Sequence, residues 1–185
     1  KTTVVIPNYN GKHFLQDCLD SLLQSTVEIA VIVVDNGSTD GSVSWIQEHF
    51  PQVKLICFSE NKGFCTAVNT GIEAAATPYV FLLNNDTKTD RFCLERLERA
   101  MEADEKIFSV GAKMLSMKEP ELVDTAGDLY SAFGWAYAIG KGRLSSNYTA
   151  PKRVFSNCAG AALYRKAHLE QIGGFDELHF AYLED

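Results

Sequence analysis

The stretch Tyr79-Val80-Phe81-Leu82-Leu83-Asn84-Asn85-Asp86 runs five apolar residues straight into two amides and a carboxylate. A continuous apolar run without polar alternation is the pattern of a strand buried on both faces, as in parallel sheets. Its polar end carries Asn84, Asn85 and Asp86 to the carboxyl edge of the sheet. Two readings of that end stay open. Two amides and a carboxylate can hold Mg²⁺ or Mn²⁺ with few protein ligands, leaving room for diphosphate oxygens. Asn and Asp are also favoured turn residues.

Upstream, three more apolar runs are predicted as strands, at residues 2–6, 29–34 and 53–58. Helices are predicted between them. Phe14, Cys18, Leu19, Leu22 and Leu23 fall near helical spacing within 13–24. Asp40 or Ser38 can cap a helix carrying Val43, Ile46 and Phe50. Lys62-Gly63 leads into a helix with Ala67, Val68, Gly71, Ile72 and Ala75. Asp90 is placed to cap one with Leu94, Leu97 and Met101, on whose outer face Arg91, Glu95 and Arg99 recur every four residues. Strands alternating with amphipathic helices indicate an α/β fold with a largely parallel sheet. Asn8, Asp35 and Asn84 follow three of the strands, and ligands of such sheets bind outside the carboxyl ends.

The second half reads differently. A strand is expected over 107–114, loops and short strands over 116–156, a small apolar segment over 158–163, and a short helix over 165–171 ended by Gly173-Gly174. No linker divides the chain. It reads as one domain over 1–185, with a ligand-binding half at 1–104 and a second substrate-binding half at 105–185. A chain of 185 residues buries roughly 70% of the surface it would expose unfolded, enough for one substantial core.

Composition narrows the function. A net charge of −7 with no basic run makes nucleic acid a poor partner. An acidic chain that handles an anionic ligand needs local neutralisation, and a divalent cation is one means. Five cysteines, none at CxxC spacing, point to free thiols in a reducing compartment rather than a disulfide framework or a zinc site. No signal peptide and no apolar run of membrane-spanning length is present. The chain opens on Lys1 rather than Met and stops at Asp185, so it reads as part of a longer one. Neither GxGxxG nor GxxxxGK[ST] occurs, which argues against a dinucleotide fold or a P-loop.

Three further groups carry candidate chemistry. Asp35, at a strand end, can accept from a pyrimidine N3–H or a ribose hydroxyl, or simply shape a turn. Lys62 can offset phosphate charge beside the permissive Gly63, or be a solvated loop lysine. Asp176, Glu177, Glu184 and Asp185 can supply a general base, or form an acidic surface. His179 is a further candidate base.

Taken in order, VVIPNYNGKHFLQDCLDSLL (4–23), VIVVDNGSTDGS (31–42), NKGFCTAVNTGI (61–72), YVFLLNNDT (79–87) and GGFDELHFAYLED (173–185) resemble the family-2 inverting glycosyltransferases with a GT-A fold, nearest their rhamnosyltransferase-like branch. The resemblance covers nearly the whole of that catalytic domain. It implies a GT-A nucleotide-diphospho-sugar transferase fold, with a Rossmann-like, mostly parallel central sheet flanked by helices. It implies that Pro7, Tyr9, Asn10, Asp35, Ser38, Lys62, Gly63, Asn84 and Asn85 bind the nucleotide, with Asp35 reading the base. Asp86 is the implied metal ligand for Mg²⁺ or Mn²⁺, at a DXD position whose first carboxylate is here Asn84. Asp185 is the implied general base, with Glu184 beside it. The implied reaction moves a sugar from a UDP- or dTDP-sugar to a glycan or lipid-linked acceptor in surface polysaccharide synthesis. The implied location is cytoplasmic, with peripheral association at the inner face of the cell membrane. Two rival readings are a non-catalytic module that binds sugar nucleotides or glycans, and a nucleotidyltransferase. The second usually places a Gly-rich, Arg-containing loop after its first strand, which Asn8-Tyr9-Asn10-Gly11 is not.

Overall fold

The computed structural model describes residues 1–180 of the chain. The first half alternates strictly: β1 (Thr2–Asn8), α1 (Lys12–Leu23), β2 (Ile29–Asp35), α2 (Ser42–His49), β3 (Lys54–Cys57), α3 (Phe64–Ala74), β4 (Tyr79–Leu83) and α4 (Cys93–Glu102). Short elements follow: β5 (Ser109–Gly111), β6 (Met114–Leu115), β7 (Val123–Thr125), β8 (Asp128–Tyr130), β9 (Ala136–Ala138) and a 3₁₀ turn at Ser145–Asn147. The chain then returns as β10 (Ala161–Arg165) and α5 (Lys166–Ile172).

Six strands form one sheet in the order β3-β2-β1-β4-β10-β5. β1 to β4 are mutually parallel, as the continuous apolar runs require, while β10 enters antiparallel between β4 and β5. Both halves of the sequence therefore contribute to the same sheet. The expected α/β architecture, a mostly parallel sheet flanked by helices, is the one the chain adopts.

Alternate strand residues feed opposite faces. Val4, Ile6, Val33, Phe81, Leu83 and Leu163 pack against α1, α2 and α4 through Leu15, Leu19, Leu22, Ile46, Leu94 and Met101. Val5, Ile32, Val34, Val80, Leu82 and Ala162 pack on the other face against α3 and α5 through Val68, Ile72 and Leu169. Each fully buried Leu, Val or Phe contributes about 1.5–3 kcal/mol. Gly71 is what lets α3 lie flat: a Cβ there would collide with Val5 and crowd Val34.

Several local expectations are corrected. The single strand expected over 107–114 is broken into β5 and β6, because Ala112 still donates to Ala161 while Met114 pairs with Thr125 outside the main sheet. The small apolar segment at 158–163, to which the sequence assigns no element, opens in a turn where Ala161 donates back to Cys158 and continues as β10 to Arg165. Neither Asp40 nor Ser38 is the cap residue of α2. Gly41 holds that position with φ 82°, and Asp40 reaches past it to accept from the Ser42 amide at 3.0 Å. Of Arg91, Glu95 and Arg99, only Glu95 and Arg99 pair, at 3.1 Å, while Arg91 precedes α4 and lies over the Phe92 ring.

Candidate active site

The parallel register of β1 and β2 sets Asn8 beside Asp35 at the carboxyl edge of the sheet. Both are 1% exposed. The Asn8 amide donates to the Asp35 Oδ2 at 2.8 Å and to Ser38 Oγ at 3.2 Å. Its carbonyl oxygen accepts from the Asn85 amide at 2.7 Å. The other Asp35 oxygen accepts from the Ser38 backbone amide at 2.9 Å. One buried side chain, Asn8, thus ties the loop after β2 to the loop after β4, with every polar group satisfied. Gly11 makes room for this junction, since a Cβ there would run into the Asn85 amide.

The remaining predicted residues divide into two groups. Asn10 and Ser38 hold the two loops together. Asn10 donates its amide to Ser38 Oγ at 2.8 Å and accepts from the Thr39 amide at 2.8 Å, from a left-handed backbone at φ 51°. Pro7, Tyr9, Gly63, Asn84, Asn85 and Asp86 instead line an open cleft of about 300 Å³ at the carboxyl edge of β1, β2 and β4. Asp35 is enclosed behind this wall, and Lys62 turns its Nζ over the Phe58 ring at 5.0 Å. Glu184 and Asp185 lie outside the described residues.

The cleft also contains Asn8, already marked by its place at a strand end, and residues given no role from the sequence: Asn36, Asn61, Phe64 and Phe180. Asn36 is positioned by its own amide, which accepts from the Lys62 backbone at 2.8 Å and donates to the Gly63 carbonyl at 2.9 Å. The strand-end rule that marked Asp35 applies equally to this neighbour. Phe180 has no local signal. It arrives from the far end of the chain, its carbonyl accepting from the Phe64 amide at 2.8 Å. Gly63, at φ 89°, allows that approach, because a Cβ would sit 2.8 Å from the Phe180 carbonyl.

Asp86 is exposed at the rim, next to Asn84 and Asn85. Among the described residues no three His, Cys, Asp or Glu side chains converge as a metal cage. The donors present are oxygens: one carboxylate and neighbouring amides, with the Asn85 nitrogen already committed to Asn8. That set suits a hard divalent cation that keeps waters and shares phosphate oxygens, and does not suit a thiolate or imidazole metal. Beneath the loop, Cys18 Sγ contacts the Asn84 carbonyl at 3.8 Å, and burial pushes its thiol up to about 12, so it stays protonated.

A mostly parallel sheet flanked by helices, with a polar cleft at its carboxyl edge, is the arrangement of the GT-A fold. The chain belongs to glycosyl transferase family 2, whose family model matches residues 3–173. It is 26% identical over 98% of its length to the N-acetylglucosaminyl-diphospho-decaprenol L-rhamnosyltransferase of Mycobacterium tuberculosis, and covers 67% of that protein. It is 34% identical over 52% of its length to the glycosyltransferase GlyA of Streptococcus pneumoniae, covering 14% of it. Among solved structures it superposes with a TM-score of 0.66 on the mannosyltransferase PcManGT of Pyrobaculum calidifontis in complex with GDP-Man and Mn²⁺, at 21% identity over 95% of this chain and 47% of that one. It superposes with a TM-score of 0.70 on residues 1–349 of S. aureus TarS, at 18% identity over 98% of this chain and 52% of that one. The chain thus spans about half the length of these solved relatives. No helix among the described residues is long and apolar enough to cross a membrane.

Proposed function

We infer that the chain is the donor-binding and catalytic domain of an inverting glycosyltransferase that uses a UDP- or dTDP-sugar. Residues 1–104 bind the nucleotide sugar and residues 105–185 face the acceptor. The observation that carries this reading is the cleft that joins Tyr9, Asn36, Gly63 and the Asn84–Asp86 loop on one edge of the sheet. Supporting it, the mycobacterial relative is by its name a rhamnosyltransferase acting on a lipid-linked saccharide, and a TarS structure holds UDP-GlcNAc. A glycan or lipid-linked saccharide in surface polysaccharide synthesis is the acceptor class that fits, reached from the cytoplasmic side of the membrane.

In this reading the base packs in the cleft near Asn36 and Tyr9, while Asn84 and Asn85 meet the ribose and phosphates. Asp35 acts through Asn8 and Ser38, holding the two ligand loops at fixed separation. Asp86 would hold Mg²⁺ or Mn²⁺, an ion that offsets charge on a departing nucleoside diphosphate. Asp185 takes the proton of the acceptor hydroxyl. The freed oxygen bonds to the anomeric carbon from the face opposite the diphosphate. The bond from that carbon to the phosphate oxygen breaks, its electron pair leaves with the nucleoside diphosphate, and configuration inverts. Phe180, four residues before Glu184, already lines the cleft, which supports a base delivered from this part of the chain.

Titration calorimetry with UDP and dTDP, with Mn²⁺ and with EDTA, tests the donor site. Binding is expected to weaken strongly in EDTA and to be equally weak in Asp86→Ala under both conditions. Equal affinity with and without metal in the parent chain removes Asp86 from the reading. Release of nucleoside diphosphate from a nucleotide sugar separates a transferase from a binding module, which releases nothing, and from a nucleotidyltransferase, which handles pyrophosphate.

A further inference from the structure

The excursion between β7 and β10 carries an apolar surface that the cleft does not use. β8 and β9 form a separate hairpin, pairing Leu129 with Tyr137 and Tyr130 with Ala136. Ser131 closes its turn: its amide donates to the Trp135 carbonyl at 2.9 Å, and its hydroxyl accepts from the Trp135 amide at 3.1 Å. Strand alternation then puts Leu129, Trp135 and Tyr137 on one face, with Phe133 at the tip. Phe133 is 90% exposed, Trp135 66% and Tyr137 56%. On the other face Tyr130 stacks on an exposed Phe155 with ring centroids 5.4 Å apart. Contiguous exposed aromatics of this kind mark an interaction surface rather than ordinary surface composition.

The surrounding charge indicates what the surface meets. Residues 129–169 hold six Lys and Arg and no Asp or Glu, in a chain whose net charge is −7. Lys141 pairs with Asp124, Lys166 with Glu170, and Arg165 bonds the Met101 carbonyl. The cations that bear on the hairpin, beside Asp128 at the start of β8, are therefore Arg143, Lys152 and Arg153. Lys152 and Arg153 lead directly into Phe155, whose amide donates to the Asp128 carbonyl at the foot of the hairpin at 3.0 Å. Arg143 lies further back, its carbonyl accepting from the Val123 amide of β7 at 2.8 Å. Lys152 and Arg153 therefore lie beside the foot, and the aromatics lie at the tip. Three residues per strand separate the two by about 10 Å. That is the depth to which an amphipathic surface enters the headgroup and acyl boundary of a bilayer. Trp and Tyr favour that boundary, and Lys and Arg favour the anionic phosphates above it. A second copy of this chain meeting the hairpin face to face would set cations against cations.

We propose that the β8–β9 hairpin docks this domain on an anionic lipid bilayer. Phe133 and Trp135 enter the interface, Tyr137 sits at headgroup level, and Arg143, Lys152 and Arg153 face the lipid phosphates. The proposal uses no cleft residue, and its test uses no turnover, so it stands or falls separately from the transferase reading.

Co-sedimentation of the 185-residue chain with vesicles of phosphatidylcholine alone, and of phosphatidylcholine mixed equally with phosphatidylglycerol, tests it. Binding is expected on the mixed vesicles only, weakening as salt screens the charge. The chain has two tryptophans, so Trp45→Phe isolates Trp135, whose emission should shift to the blue on the mixed vesicles. The double variant Phe133→Ser, Trp135→Ser should lose at least about tenfold in partitioning with an unchanged melting temperature, since both side chains are exposed. Lys152→Ala and Arg153→Ala should each cost about fivefold. No binding to either vesicle, equal binding to both, or full binding by the double variant overturns the proposal. Self-association that the double variant abolishes, without vesicle binding, also overturns it and assigns the face to a second copy.

Discussion

Asn8 shows how one side chain can organise a site without touching the chemistry. Its amide spans Asp35, Ser38 and Asn85, so the loops after β2 and β4 cannot shift independently. Asp35 lies within this junction, both oxygens engaged and 1% exposed. Asp35→Ala strands the Asn8 amide and should cost about 1–3 kcal/mol of stability, the usual penalty for an orphaned buried donor. Nucleotide affinity should fall with it, as Asn8 and Asn85 lose their positions. Paired measurements of melting temperature and nucleotide affinity decide the point. A variant that keeps its melting temperature but loses the nucleotide would give Asp35 a direct contact with the base.

At the scale of elements, helix and strand ends do most of the positioning. Asp40 joins two helix starts: Oδ2 accepts from the Lys12 amide at 2.9 Å, at the head of α1, and Oδ1 from the Ser42 amide at 3.0 Å and the Ser42 hydroxyl, at the head of α2. Burial pushes its carboxyl up, but the bonds from Ser42 and Lys12 outweigh that and hold it below the ordinary carboxylate value. A depressed native pKa contributes stability that is complete above the unfolded pKa and is lost as pH falls through the native one. Asp40→Asn should therefore lower the melting temperature at neutral pH, and the gap between variant and parent should close in acid. Melting curves across pH 2 to 7, roughly the carboxylate range and above, check this. A second expectation concerns α3. Gly71→Ala drives a methyl into Val5 and should destabilise by about 1–3 kcal/mol through overpacking, despite the better helix propensity of alanine. A denaturant midpoint equal to the parent's would show that α3 can move off the sheet without cost.

At the scale of the molecule, the cleft draws on both ends of the chain. β1 supplies Pro7 and Asn8 while Phe180 closes the wall beside Gly63. The base proposed at Asp185 belongs to the same terminal region. Asp185→Asn keeps the shape and removes the basicity. In a protein that continues past this residue, it should leave nucleotide and metal binding nearly intact while cutting turnover by about 10²–10⁴-fold. Calorimetry and product assays on the same preparation read the two effects separately. Sugar transfer at the parental rate moves the base elsewhere, with Glu184, Asp176 and His179 next to test. Loss of nucleotide binding makes Asp185 a structural residue instead.

The centre of the sheet was legible from the sequence because its strands are buried on both faces. Burial forces uninterrupted apolar runs, and Tyr79–Leu83, all five residues buried, needs no partner to be recognised as one. The same runs end in polar residues, so Asn8, Asp35 and Asn84 could be assigned to one edge of the sheet from local pattern alone. Roles within that edge were not legible. Asp35 and Asp86 are both carboxylates at strand ends, yet one is enclosed by Asn8 and Ser38 and the other opens on the cleft. That difference depends on which loop folds over which, and long-range hydrogen bonds set it. The break between β5 and β6 and the placement of Phe180 at the cleft are likewise contacts between distant residues, for which neighbours in sequence carry no signal. Local periodicity reflects what each segment must bury. Which polar groups reach a ligand is decided only when the segments pack, because a polar group stays turned inward wherever another segment of the chain offers it a partner.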